Sequence, residues 1–145
     1  MTQRLDFYKS NPAAIKAMGC LEERIAHSSL EKPLIELVRL RVSQINGCAY
    51  CVDLHSTQAV KLGDSERRVH AMPVWSETPF FTDRERAAFL WAEALTRLER
   101  THVPDEVWEK VKPHFTPEDL VDLTLLVNTI NAWNRFAIAF RKLPV

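Results

Sequence analysis

The sequence predicts an all-α domain, and three observations predict it. Glycine is scarce, with three residues in 145. No stretch alternates apolar and polar residues with the period of two that a half-buried strand requires. Apolar stripes at i, i+3, i+4 spacing recur instead, bounded by helix start and stop signals.

About seven helices follow from those signals. Asn11-Pro12 supplies an N-cap and an N1 proline, and Ile15, Met18, Leu21 and Ile25 follow at helical spacing. A second helix is expected from about Glu31 to Ile45, with Leu34, Leu37, Val38, Val42 and Ile45 as its apolar stripe. Asn46-Gly47 breaks it, because that dipeptide favours left-handed backbone. A third helix starts at about Cys48 and ends near Leu62, where Gly63 is a suitable C′ residue. A short fourth helix follows Asp64 and stops near Pro73, and Val74 to Phe81 reads as an apolar loop. Thr82-Asp-Arg-Glu85 is a capping box that opens a fifth helix running to about Arg100. Val103-Pro104 opens a brief sixth helix with Val107, Trp108 and Val111. Thr116-Pro117-Glu-Asp119 caps the seventh and longest, which runs to about Arg141. The last helix is apolar around much of its circumference, as expected of a central helix or a subunit interface. It favours a homo-oligomer.

Residues 1–145 read as one domain, with the motif-bearing core at about 31–63. Nineteen basic residues balance nineteen acidic ones, so there is no basic footprint for nucleic acid and no polybasic segment for a membrane surface. The first residues lack the apolar stretch of a signal peptide, and a cytoplasmic location is expected. Three cysteines are too few, and odd in number, for a secreted disulfide framework. In a reducing compartment a close pair points to transient redox chemistry or a metal.

That pair is Cys48 and Cys51, in Cys48-Ala-Tyr-Cys51-Val-Asp-Leu-His55. At about 100° per residue, Cys48, Cys51 and His55 fall within a sector about 60° wide. Both sulfurs and the imidazole share one helix face. The helix start offers free N–H groups and the positive end of the macrodipole, which favour a thiolate. If the chain reverses at Asn46-Gly47, Glu36 faces roughly residue 57, within about one turn of His55. A carboxylate there would orient the imidazole and stabilise its cation, and the imidazole would accept or return a thiol proton. Two blander readings stand beside this one. The cysteines can be small buried hydrophobes, or Cys48, Cys51, His55 and Glu36 can supply zinc ligands, although no second CxxC or HxxxH completes a familiar set. Val52 stands where a c-type haem site needs histidine. Cys20 reads as a buried helix residue, and His27, His70, His102 and His114 as surface or boundary positions. Trp91, Trp108 and Trp133 read as core or interface; Trp75 with Phe80-Phe81, on a loop, can line a pocket but reads first as packing. Arg135, in Asn131-Ala-Trp-Asn134-Arg, can reach either the site or a neighbouring subunit.

A glutamate, eleven residues, CxxC, three residues and a histidine is the pattern of the alkylhydroperoxidase AhpD-like family, within the carboxymuconolactone decarboxylase-like superfamily. Glu36, Cys48, Cys51 and His55 match every element, so the chain resembles that family over about Glu36 to Gly63. More loosely it resembles an uncharacterised subgroup at Trp75 to Phe80 and Ile130 to Arg135. The resemblance implies an all-helical homo-oligomer, often a trimer or hexamer. It also implies peroxidase or disulfide reductase activity through Cys48 and Cys51, with Glu36 and His55 as the proton relay. In the family the second cysteine, here Cys51, is usually the peroxidatic one, whereas helix position alone favours Cys48. The implied partners are a hydroperoxide substrate and a dithiol reductant, thioredoxin-like or lipoyl-type, with no prosthetic group. Some members carry a second histidine just before the second cysteine. Tyr50 stands there, so a relay that depends on it, and the efficiency it gives, do not carry over. The competing expectations are a carboxymuconolactone decarboxylase-like lyase and a non-enzymatic redox-sensing oligomer.

Overall fold

The computed structural model describes residues 1–144, and those residues contain helices and turns but no strand. Among the described residues nine α-helices stand where about seven were expected: α1 (Phe7–Ser10), α2 (Pro12–Ala26), α3 (Lys32–Asn46), α4 (Ala49–Lys61), α5 (Glu66–Ala71), α6 (Asp83–Thr96), α7 (Leu98–Thr101), α8 (Asp105–Val111) and α9 (Pro117–Phe140). None of the described helices is long and apolar enough to cross a membrane.

Helix α3 is the centre of the fold, packing against α4, α6 and α9. Leu37, Val38, Leu40 and Val42 are completely inaccessible, so its apolar stripe is enclosed on several sides. Helix α9 covers it and also meets α2 and α6. Leu123, Leu126, Val127 and Ile130 are buried there, which places most of the apolar circumference of α9 inside the chain.

The break at Asn46-Gly47 is a Schellman turn. Gly47 has φ +70°, its N–H donates to the Gln44 carbonyl at 3.2 Å, and the Cys48 N–H donates to the Ser43 carbonyl at 3.0 Å. Cys48 therefore finishes the cap of α3 and is also the N-cap of α4. The turn is locked to α9 by side-chain amides, of which Asn131 and Asn134 are buried. Asn46 Nδ2 donates to Asn131 Oδ1 at 2.9 Å and to Asn134 Oδ1 at 2.8 Å, and Asn134 Nδ2 donates to Ser43 Oγ at 3.1 Å.

Three elements differ from the sequence-based expectation. Helix α1 was not expected, since four residues are too few for periodicity to register. It is capped by the Asp6 carboxylate, which accepts from the Tyr8 and Lys9 N–H groups. The fifth expected helix stops at Thr96 and resumes as α7. The Thr101 hydroxyl takes the Ala94 carbonyl at 2.7 Å, and Thr96 Oγ1 accepts from Asn131 Nδ2 at 3.1 Å, so side chains interrupt the helical ladder. The expected loop from Val74 begins inside a 3₁₀ turn, Met72–Glu77. Its Trp75 is buried edge-on against Phe89 and donates Nε1–H to Glu93 at 2.7 Å.

Replacing Asn134 with alanine strands the Ser43 hydroxyl and half of the Asn46 amide. A loss of about 1–3 kcal/mol in urea-unfolding stability is expected. A loss of less than about 0.5 kcal/mol, the range of an ordinary surface change, would show that the amides do not anchor the turn.

Candidate active site

The site grows from the turn between α3 and α4. As N-cap of α4, Cys48 presents its Sγ to the Cys51 N–H at 3.3 Å. Cys51 lies one turn on, and the two sulfurs are joined as a disulfide with their Cα atoms 5.3 Å apart. Both cysteines are buried and pack on Ala137 of α9, whose small side chain leaves room for them. His55 follows Cys51 by one further turn.

The antiparallel hairpin brings Glu36 to His55. Imidazole Nδ1 and carboxylate Oε2 are 2.8 Å apart, and both side chains are about nine-tenths buried. An ionised carboxylate only accepts hydrogen bonds, so Nδ1 carries the proton and Nε2 of the neutral ring keeps its lone pair. The second oxygen of Glu36 accepts from Arg39 Nη1 at 2.6 Å. Arg39, one turn further along α3, uses Nη2 to bind Glu22 of α2. Glu22 in turn accepts the indole N–H of Trp133 from α9 at 2.8 Å. A continuous polar chain, His55–Glu36–Arg39–Glu22–Trp133, therefore crosses α4, α3, α2 and α9.

Burial pushes the Glu36 carboxyl up, since desolvation disfavours its charge. Hydrogen bonds from His55 and Arg39, together with the Arg39 charge and that of the imidazole whenever it is protonated, outweigh it, and the carboxyl ends below its ordinary range. Glu36 therefore holds its negative charge where it fixes the imidazole.

A cavity of about 280 Å³ opens beside this chain, lined by Cys51, His55, Glu22 and Arg39 and by the rings of Phe7, Tyr8, Tyr50 and Trp133. Cys48 borders a different depression, with Arg4, Gly47 and Arg141. Cys51 thus lines the first space and Cys48 the second.

All four residues expected from sequence, Cys48, Cys51, His55 and Glu36, come together. Arg39, Glu22 and Trp133 were not anticipated. The i, i+3 spacing of Glu36 and Arg39 was the one legible signal among them. Tyr50, where some family members place a second histidine, contributes a phenol ring to the cavity. Among the described residues no group of three or more His, Cys, Asp or Glu side chains is arranged to hold a metal ion. Cys20, expected to be buried, is an exposed free thiol, because α2 turns that face outward. Arg135 is exposed and donates to the Asn131 carbonyl of its own helix at 2.9 Å, away from the cavity.

The fold and site together define a helical protein with a CxxC pair at a hairpin turn and a buried Glu–His couple beside it. The model of the carboxymuconolactone decarboxylase family matches residues 12–94. The uncharacterised protein YdfG of Bacillus subtilis is 40% identical over 139 residues, which are 96% of this chain and 95% of YdfG. A crystal structure from Agrobacterium tumefaciens superposes with a TM-score of 0.95 at 41% identity, covering 99% of both chains. That protein is described as one of unknown function and a candidate antioxidant defence protein AhpD. The alkyl hydroperoxide reductase AhpD of Coxiella burnetii is 40% identical over 45 residues, 31% of this chain and 25% of that one. The chain belongs to the carboxymuconolactone decarboxylase family, and its fold is AhpD-like.

The lowered Glu36 carboxyl has a pH signature. A group whose folded pKa lies below its unfolded one contributes stability fully present above the unfolded value, and lost as pH falls through the folded value. The stability gap between wild type and Glu36→Gln is therefore expected to be widest near neutrality and to narrow as pH falls to about 3. Urea midpoints at both pH values measure it, and a gap that does not change would contradict the ionised, paired carboxylate.

Proposed function

We propose that the chain is a thiol-dependent alkyl hydroperoxide reductase of antioxidant defence. The observation that carries this reading is the cavity beside Cys51, which the Glu36-held imidazole of His55 also lines. In the reduced protein, His55 Nε2 takes the Cys51 thiol proton. The thiolate attacks one oxygen of a hydroperoxide and the O–O bond breaks, giving the sulfenic acid at Cys51. The leaving alkoxide takes the proton from His55 and departs as alcohol. The Cys48 thiol then condenses with the sulfenic acid, forming the Cys48–Cys51 disulfide and releasing water. A dithiol partner, thioredoxin-like or lipoyl-type, returns two electrons and two protons by exchange and leaves as its own disulfide. The cycle closes with thiols alone.

Cys51 is the peroxidatic cysteine in this reading because it is the cysteine that lines the cavity, and Cys48 is the resolving one. Glu36 orients the imidazole and stabilises its cation. Tyr50 supplies no second imidazole, so proton transfer rests on His55. We read the protein as a cytoplasmic homo-oligomer, a trimer or hexamer. Val121 and Ile138 are the large apolar residues of α9 that are exposed within one chain.

The family match also favours a lyase of the carboxymuconolactone decarboxylase kind. Such chemistry needs no thiol, and it would leave activity on a lactone acid intact after both cysteines are alkylated.

With cumene hydroperoxide and dithiothreitol, wild-type turnover and its loss in Cys51→Ser are expected. His55→Ala should lower the rate roughly a hundredfold or more, the range of a general acid–base group. Equal rates in wild type and Cys51→Ser would sink the peroxidase reading.

A further inference from the structure

The cavity in front of Cys51 carries more than peroxide reduction requires. Phe7, Tyr8, Tyr50 and Trp133 line it, as do Leu54 and Ile130. Phe7 and Tyr8 come from α1, and Trp133 and Ile130 from α9. All four lie outside residues 12–94, the part matched by the family model. The CxxC hairpin is the shared part, and the opposite wall comes from the two ends of this chain.

Those ends are fastened together. The Arg4 N–H donates to the Phe140 carbonyl at 2.9 Å, and its guanidinium donates to the Ala139 carbonyl at 3.0 Å. Phe7 packs against Phe136 and Phe140, with ring centroids 5.4 and 5.8 Å away. Tyr8 stacks on Trp133 at 6.2 Å. The wall is built, not a loose terminus resting on the surface.

Two cations line the cavity. Arg39 is committed to Glu36 and Glu22, and both Glu22 oxygens are in turn engaged, by Arg39 and Trp133. Lys142 is placed differently. Arg141 closes α9 in the left-handed region at φ 52°, and the Lys142 N–H returns to the Ala137 carbonyl at 2.9 Å. The chain is thereby turned back over the rings. The ammonium lies 4.6 Å from the centroids of both Tyr8 and Tyr50 and 5.9 Å from that of Phe7. Among the described residues no carboxylate pairs with it. Ring faces attract the charge but offer no lone pair in the plane of a normal acceptor, and an ammonium has three N–H donors to satisfy. Lys142 also borders the surface depression beside Cys48 and is half-buried. At about 280 Å³ the space falls just below the roughly 300–1,000 Å³ range of small-molecule sites. It suits a ring-sized body rather than a long acyl chain.

We propose that this cavity selects ring-sized apolar hydroperoxides bearing a carboxylate, with the apolar body between the aromatic walls and the carboxylate on the Lys142 ammonium. The reacting group rests on the peroxidase reading above; the anion site does not, and the test separates them. Binding of 4-isopropylbenzoate and of its neutral amide, 4-isopropylbenzamide, is measured calorimetrically on the oxidised protein. In parallel, kcat/KM is measured for cumene hydroperoxide and for its 4-carboxylate. Wild type is expected to bind the acid about tenfold or more tightly than the amide, the gain of a hydrogen bond between charged groups. Lys142→Gln should erase that preference and Lys142→Arg should restore it. The acid-to-neutral ratio of kcat/KM should fall by a similar factor in Lys142→Gln. Equal binding of acid and amide by wild type, no binding of either, or a preference undiminished in Lys142→Gln would overturn the assignment. An intact acid preference without turnover of either hydroperoxide would support the anion site and overturn the peroxidase reading.

Discussion

A carboxylate buried on the first half of α3 needs a partner, and the site is arranged around where that partner lies. Stripping Glu36 of water would be costly for the charged form. The cost is met by two directional contacts, one from His55 across the hairpin and one from Arg39 on the same helix. The His55 contact exists only because of the left-handed turn at Gly47, which sets the register of α4 against α3; the Arg39 contact is an i, i+3 pair within α3. The same turn makes Cys48 the N-cap of α4, so one local backbone event positions the carboxylate, the imidazole and the disulfide.

The polar chain does not end at Glu36. Arg39 carries it to Glu22, and Trp133 finishes it on α9. Each charge is paired, which is the condition under which buried ionic groups are tolerated. The chain also constrains the cavity. Trp133 is held at one end by Glu22 and stacked at the other by Tyr8, so the couple that would move protons and the wall that would receive substrate are parts of one assembly.

The helical class, the Gly47 reversal and the Cys48–Cys51–His55 face were legible because each depends on spacing within about a dozen residues. Glu36 was legible for a different reason: the hairpin converts sequence distance into contact across two adjacent helices. Glu22 and Trp133 meet across 111 positions, and no local pattern encodes such a contact. Helix α1 escaped notice because a four-residue helix capped by Asp6 carries no period. The break between α6 and α7 escaped because the Thr101 hydroxyl competes for a backbone carbonyl in a stretch whose apolar residues continue without interruption. Cys20 lies near the apolar stripe of α2 but faces outward, since a residue type alone does not say which edge of a stripe is covered.

The central claim is that Glu36, acting through His55, prepares the Cys51 thiol for reaction. It is tested most directly by sulfenic acid formation at Cys51 in Cys48→Ser, where no disulfide can intervene. The product is trapped with dimedone after cumene hydroperoxide is added and mapped by mass spectrometry. The adduct should appear on Cys51 and form about tenfold or more slowly when Glu36→Gln is added to the same background. An adduct that forms at the same rate with and without the Glu36 carboxylate, or no adduct at Cys51, would contradict the account.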